Sequence, residues 1–405
     1  LELCNISESD ITLKGTFVET IVNKKGLSKI AKEINIGEPT LLDIIENLKK
    51  PGRDPREEMP KPILRSDILK IEDLEPGMVI ARTVVGLDGR ALLNENTRLT
   101  PSYIERLDKL GIRSVYIKDG LSDIDIPEIV SVQALAAVSQ TLEESIKDIN
   151  RRNLLDMASL KRSVSLLVED ILNNQHLLIQ LEDIRSYDDY LYFHSINVAI
   201  FSIMTGLTMG YPESKLMDLG LGALLHDIGM IMLDPRIGKK KSPLSQAEIG
   251  VIRTHCEIGF NILKTYQEVS ATTAHVAYQH HERVDGSGYP RQLDGRQILE
   301  YARIVAVADT FAALISDRPY RNGYTSTEAV SIMGKLSNSY FDPIILEAFT
   351  SNVAIYPVGS ILLLNSGNLA LVTSVTKTNS TRPIVHVISD SKGNLLSQAL
   401  ELDLN

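Results

Sequence analysis

The spacing of apolar positions changes along the chain, and each change predicts a change of structure. Leu27, Ile30, Ala31 and Ile34 recur at helical spacing, and Pro39-Thr40 opens a second run through Leu41, Leu42, Ile44, Ile45 and Leu48. Residues 51–66 interrupt this with four prolines and many charges, the mark of a linker. Met78 to Val85 reads as a strand, Asp88-Gly89 as a hairpin turn and Ala91-Leu92-Leu93 as the returning strand. Pro101 to Leu110 reads as a helix with Gly111 after its end, and Ser114 to Lys118 as a closing strand. Residues 127–190 read mostly as long amphipathic helix, with Val130, Leu135, Val138, Leu142, Ile146 and Ile149 on one stripe. Such a stripe packs inside a larger bundle or makes a helical dimer contact. Residues 190–350 are predicted helical, broken by a glycine-rich loop near 286–290. Strands return at Ile361 to Leu364, Leu369 to Val375 and Ile384 to Ile388, with a turn at Ser391–Asn394.

These patterns predict a mainly α fold: an all-helical bundle, a small α+β module before it and a short β-rich segment after it. The expected boundaries are 1–66 for the helical segment and linker, 67–126 for the α+β module, 127–350 for the bundle and 351–405 for the strands. Composition supports a soluble globular class, with 43% hydrophobic and 23% charged residues. No apolar run reaches the ~18–20 residues that span a bilayer, so no membrane partner is expected. The longest candidate, Val198 to Thr208, contains Ser202, Thr205 and Gly206. The first residues show no basic or apolar leader pattern. The chain opens on Leu1 rather than Met, as a fragment does. Cys4 and Cys256 make no disulfide framework, which suits a reducing cytoplasm. The net charge of -10 opposes broad nucleic-acid binding but leaves room for a small anion held by metals and a few basic side chains.

Five of the eight histidines fall into a set with aspartates: His194, His226-Asp227, His255, His280-His281 and Asp309. Neutral imidazoles bind borderline divalent ions, and a carboxylate can bridge two of them. Neighbours in a helix point about 100° apart, so each member of an adjacent pair can serve a different metal. Seven candidate ligands exceed one tetrahedral site and suit two metals with open positions. A lone histidine such as His176, His275 or His386 is read as an ordinary side chain.

The set sits in the strings LLHDIG at 224–229, HHERVDGSGYP at 280–290 and VADTFAALISDRPYR at 307–321. Together they resemble the HD-GYP family, a branch of the HD phosphohydrolases, over roughly residues 185–345. The resemblance implies metal ligands at His194, His226, Asp227, His255, His280, His281 and Asp309, with Asp227 bridging two divalent ions. It matches Gly286, Gly288, Tyr289 and Pro290 to the GYP loop. It implies substrate contacts or catalytic assistance from Arg318, Arg321 and Lys240; arginine suits phosphate because its planar fork pairs with two oxygens. The implied activity is hydrolysis of cyclic di-GMP to linear pGpG or GMP, by a water that two metals share and activate. Carboxylate and imidazole ligands point to iron or manganese.

The sequence departs from the family pattern at two places. Met230 stands where HDxGK has lysine, and Tyr190 stands where some members have a glutamate four residues before the first histidine. The first favours an alternative, a weakly active or inactive domain that binds nucleotide or a protein partner. The second favours two metals over three. Residues 1–75 resemble the helical segment before the S1 domain of Tex-type transcription accessory proteins. The two resemblances meet near residues 67–78, as in a misjoined reading frame or, alternatively, a natural fusion. Lys and Arg equal Asp and Glu over residues 1–66, so this segment is not a basic nucleic-acid arm.

Overall fold

The computed structural model describes the chain from Ile63 to Leu404 except residues 65–67, 82, 86–90, 111, 113, 119–128, 153, 180–189, 239–244, 317–323, 325, 359, 365, 367, 378–381 and 390–394. The helices expected within 1–50, the turn at Asp88-Gly89 and the turn at 391–394 therefore lie outside the described residues. The first elements are β1 (Ile63–Leu64), β2 (Ile68–Lys70), β3 (Val84–Val85), β4 (Ala91–Leu93), α1 (Pro101–Lys109) and β5 (Ser114–Tyr116). The helices that follow are α2 (Val132–Arg152), α3 (Met157–Asn173), α4 (Tyr190–Thr208), α5 (Glu213–Leu224), α6 (Pro235–Gly238) and α7 (Gln246–Arg253). After them come α8 (His255–Leu263), α9 (Ala271–Gln279), α10 (Glu300–Ile315), α11 (Ser326–Lys335) and α12 (Pro343–Thr350). The chain closes on β6 (Ser360–Leu363), β7 (Leu369–Ser374), β8 (Ile384–Ser389) and β9 (Leu395–Asp403). The fold is mainly α, with a helical bundle, a small α+β module before it and β-rich residues at the end. Among the described residues no helix is long and apolar enough to cross a membrane.

Two compact units divide the chain. One holds the described residues within 1–83, 94–127 and 354–405, the other those within 84–93 and 128–353. In the first unit β1, β6, β7, β8 and β9 form an antiparallel sheet in that order. Its buried face gathers Ala370, Val372, Val385 and Val387, the alternate positions of β7 and β8. In the same unit β2 pairs with β5, and Thr100 caps α1 by accepting from the Tyr103 N–H. The strand expected from Met78 to Val85 is shorter: Val79 and Ile80 make only isolated bridges, and the regular pairing is β3 with β4.

In the second unit the long helix expected over 127–190 is two helices. Asp156 breaks the run by accepting from the Ser159 N–H at 3.0 Å and so capping α3. The start of α2 is tied back to α3 where Asp170 accepts from the Ser131 N–H and hydroxyl at 2.8 and 2.7 Å. Val130, Val138, Leu142 and Ile149 are buried within the unit, so most of the stripe packs inside the bundle. The central helix is α4, which buries Ile196, Val198, Ala199, Phe201, Ile203 and Met204 around its circumference. Phe201, Phe311 and Phe349 meet edge to face at 5.0–6.1 Å and lock α4, α10 and α12 together. This apolar grip fixes the helix backbones from which the polar cluster projects.

Candidate metal centre

The predicted ligands come from separated parts of the second unit and converge. His194 stands in the second turn of α4 and Asp309 in α10. His226 and Asp227 occupy the turn between α5 and a 3-10 helix at Ile228–Met232. His255 opens α8, and His280 is the C-cap residue of α9 with His281 just beyond. Neither adjacent pair lies within a helix, contrary to the expectation. At a helix end the regular step between neighbouring side chains lapses, which frees both members to turn inward.

The histidine tautomers follow from backbone partners. Nδ1 of His226 lies 2.7 Å from the Ala223 carbonyl, and Nδ1 of His255 lies 2.7 Å from the Ile252 carbonyl. Nδ1 of His280 lies 3.1 Å from the carbonyls of Val276 and Ala277. Carbonyls only accept, so each Nδ1 carries a proton, and each Nε2 that gives up its own proton presents a lone pair to the interior. Nε2 of His255 and Nε2 of His280 then face each other at 3.3 Å, a repulsive arrangement unless a cation or proton lies between them. Oδ1 of Asp227 is 3.2 and 3.6 Å from these two nitrogens, and its Oδ2 is 3.4 Å from Nε2 of His226. One carboxylate thus divides its oxygens between two imidazole groups. Asp309 divides its own similarly: Oδ1 is 2.9 Å from Nε2 of His194 and Oδ2 is 3.9 Å from Nδ1 of His281.

Two sets of donors emerge, each with atoms within 4.8 Å of one another: His194, His226 and Asp227; and His255, Cys256, His280 and His281. Nε2 of His226 is buried without a hydrogen bond. Facing lone pairs, two ionised carboxylates and an orphaned imidazole nitrogen fit divalent cations. The charge balance makes the same demand. Burial disfavours the charged form of His226, but the Asp227 carboxylate outweighs it and pushes the imidazole up to about 9. Burial also opposes His255, which its contacts with Asp227 and Cys256 push up to about 10. Burial holds His280 below its ordinary value, and burial with the neighbouring His280 holds His281 well below. Burial favours neutral Asp227 and Asp309, yet the facing imidazoles override it and keep both far below the usual carboxylate range. Four histidines form a buried floor, while Asp227, Asp309 and His281 keep 19%, 14% and 29% of their side-chain surface exposed. The centre therefore opens on one side.

The loop after His281 is held against that opening. The Tyr289 N–H donates to the His281 carbonyl at 3.1 Å, and the two rings stack at 4.7 Å. The Arg253 guanidinium lies 4.8 Å from the Tyr289 ring centroid. Burial keeps the Tyr289 phenol protonated far into base. The Tyr289-Pro290 bond is cis, and Gly286 adopts φ +79°. Gly288 is required sterically: a Cβ there would fall 2.4 Å from the Glu282 backbone. Glu282 is buried and accepts from the N–H groups of Arg291 and Leu293 at 2.7 and 3.0 Å, pinning the loop's exit. Sequence reasoning gave Glu282, Arg253 and Cys256 no part in the site. The first belongs to the HHERVDGSGYP string, and the others stand within two residues of His255, which was the available signal. Met230 is half-buried, and its N–H donates to the Asp227 carbonyl at 2.9 Å. Lys240, Arg318 and Arg321 lie outside the described residues.

The bundle with this centre defines an HD-domain protein, and residues 167–345 match the family described as an HD domain. Residues 4–56 match an HHH domain, and residues 361–405 match a KOW domain associated with HD domains. The chain is 32% identical over 298 residues to "Cyclic di-GMP phosphodiesterase PA4108" of Pseudomonas aeruginosa, covering 66% of this chain and 72% of that one. It is 31% identical over 281 residues to a "Cyclic di-GMP phosphodiesterase" of Thermotoga maritima, covering 65% of this chain and 75% of that one. A "3'3'-cGAMP-specific phosphodiesterase 3" of Vibrio cholerae is 33% identical over 150 residues, 37% of this chain and 32% of that one. Among solved structures, Bd1817, an HDG"Y"P protein from Bdellovibrio bacteriovorus, is similar at 18% identity with a TM-score of 0.48, covering 70% of this chain and 97% of that one. The chain belongs to the HD-GYP family of the HD superfamily.

Proposed function

We propose that the chain is a metal-dependent phosphodiesterase that hydrolyses cyclic di-GMP to linear pGpG, GMP or both. The observation that carries this reading is the division of the Asp227 oxygens between His226 on one side and His255 with His280 on the other. It joins the names of the similar proteins, which are cyclic di-GMP phosphodiesterases. Two divalent ions, iron or manganese, would be held by His194, His226, Asp227, His255, His280, His281 and Asp309. When bound they lower the pKa of water and neutralise phosphate charge.

The chain's own residues prepare that chemistry. The backbone bonds at Nδ1 keep three imidazoles in one tautomer before substrate arrives. Tyr289 covers His281 and brings a protonated phenol to the rim, a donor suited to a phosphate or guanine oxygen. Gly286 and Gly288 let the loop backbone approach the substrate, while Glu282 prevents the loop from drifting. Arg318, Arg321 and Lys240 supply the positive charge for the phosphates. The protein works in a reducing cytoplasm. Self-association through residues 127–190 would use the outer face, where Leu154 and Leu166 are exposed.

The test incubates reduced protein loaded with iron(II) or manganese(II) with cyclic di-GMP and, in parallel, with 3'3'-cGAMP. Linear pGpG or GMP, formed faster than the cGAMP product, is the expected result. Metal-loaded protein that binds cyclic di-GMP without turnover would replace the enzyme reading with that of a binding module.

A further inference from the structure

We propose that Cys256 is a metal ligand, so that one half of the centre is built from imidazoles and a thiolate. The inference rests on the metal-centre reading above and deepens it. Cys256 is wholly buried, and its Sγ lies 3.4 Å from Nε2 of His255. It belongs with His255, His280 and His281 to a donor set whose atoms all lie within 4.8 Å of one another.

The separations between donors match those of a shared ion. Two imidazole nitrogens sharing one tetrahedral ion at bond lengths of about 2.0–2.1 Å lie about 3.3 Å apart, and a nitrogen and a thiolate sulfur at about 2.3 Å lie about 3.5 Å apart. The structure has 3.3 Å between Nε2 of His255 and Nε2 of His280 and 3.4 Å between Nε2 of His255 and Sγ of Cys256. Both contacts involve the same Nε2, whose ring is fixed by the bond from its Nδ1 to the Ile252 carbonyl. The thiol carries its own proton, so hydrogen bonds can join these atoms in pairs, but no single proton joins all three. One cation among the three atoms satisfies them all. On binding, the thiol gives its proton to solvent and the thiolate bonds to the ion.

A thiolate changes which ion this half prefers. Sulfur is soft, so it favours iron(II), cobalt(II) or zinc over manganese. The two halves then differ: the half with His194, His226 and one Asp227 oxygen offers only nitrogen and oxygen, and the half with Cys256 adds sulfur to its nitrogens and the other Asp227 oxygen.

Cobalt(II) alone is the probe, because thiolate-to-cobalt charge transfer absorbs strongly in the near ultraviolet and imidazole or carboxylate ligation does not. The reduced 405-residue chain is titrated as wild type, Cys4→Ser and Cys256→Ser. The chain has two cysteines, so Cys256 is the sole thiol in the Cys4→Ser protein. The band is expected in wild type and in Cys4→Ser and absent in Cys256→Ser, whose cobalt affinity falls on the order of tenfold or more. Cobalt binding with visible bands but no near-ultraviolet band in Cys4→Ser overturns the thiolate ligand and leaves the metal centre standing. No cobalt binding by any of the proteins overturns the centre itself. If Cys256→Ser fails to fold, the Cys4→Ser spectrum still decides the question.

Discussion

The two compact units bury different kinds of side chain. The sheet of the first unit closes over Ala370, Val372, Val385 and Val387, an apolar interior that stability alone explains. The second unit has an equally apolar frame around α4 and α10, but within it lie His194, His226, His255, His280 and Glu282 at 5% exposure or less. Burying such groups costs free energy unless each is paired, and here the pairing is incomplete without a cation. The difference teaches where to look for function. The part of a fold that contradicts the usual separation of polar from apolar is the part that something besides stability has shaped.

Removing the group shared by both halves of the centre breaks the contrast most severely. Asp227→Ala should lower metal content toward zero at both sets of donors and bring turnover of cyclic di-GMP below detection. Elemental analysis beside product chromatography checks it, and an active variant with full metal content would refute the shared role. Gly229→Ala comes next. A Cβ there would sit 2.0 Å from the His255 carbonyl oxygen, backbone against backbone, so the segment must shift. A loss of about 1–3 kcal/mol in stability is expected, read as a fall of several degrees in Tm, with reduced metal content.

Glu282→Ala should act on the loop rather than on the ions. It strands the buried N–H of Leu293, at about 1–3 kcal/mol, and frees the part-buried N–H of Arg291. The expected readout is a rise in KM on the order of tenfold with metal content unchanged; loss of metal would show that Glu282 supports the ligands instead. The smallest catalytic effect should come from the other unit. Val385→Ala opens a cavity in the sheet and should cost about 1–3 kcal/mol of that unit's stability. It should leave metal content and kcat as they were, and a matched fall in kcat would show that the two interiors are coupled.

Much of this contrast was legible in the chain. The apolar runs at Leu369 to Val375 and Ile384 to Ile388 announced β7 and β8, and the aspartate and histidine set announced a metal centre before any helix was in place. Local chemistry was legible less evenly. Asp156 is a good N-cap residue, yet an apolar stripe running on both sides of it concealed the break between α2 and α3. β9 went unread because Leu396, Leu400 and Leu402 are exposed, so its pattern is not that of a buried face. The adjacent pairs His226-Asp227 and His280-His281 were read as helical because their surroundings are helical, whereas both lie at or just past helix ends.

The sequence by itself determined the fold class, the family and which seven side chains are proposed as ligands. Those depend on residue type and order, and a string such as HHERVDGSGYP carries them in one stretch. Only the tertiary structure decided which donors face which. Asp227 and His255, 28 positions apart, and His194 and Asp309, 115 apart, meet because separate helices pack. The tautomers were likewise decided by backbone carbonyls at helix ends, and the place of Cys256 by the direction its side chain takes beside His255. Distances of a few tenths of an ångström separate a ligand from a bystander, and they are set by the packing of whole helices, which no local pattern encodes.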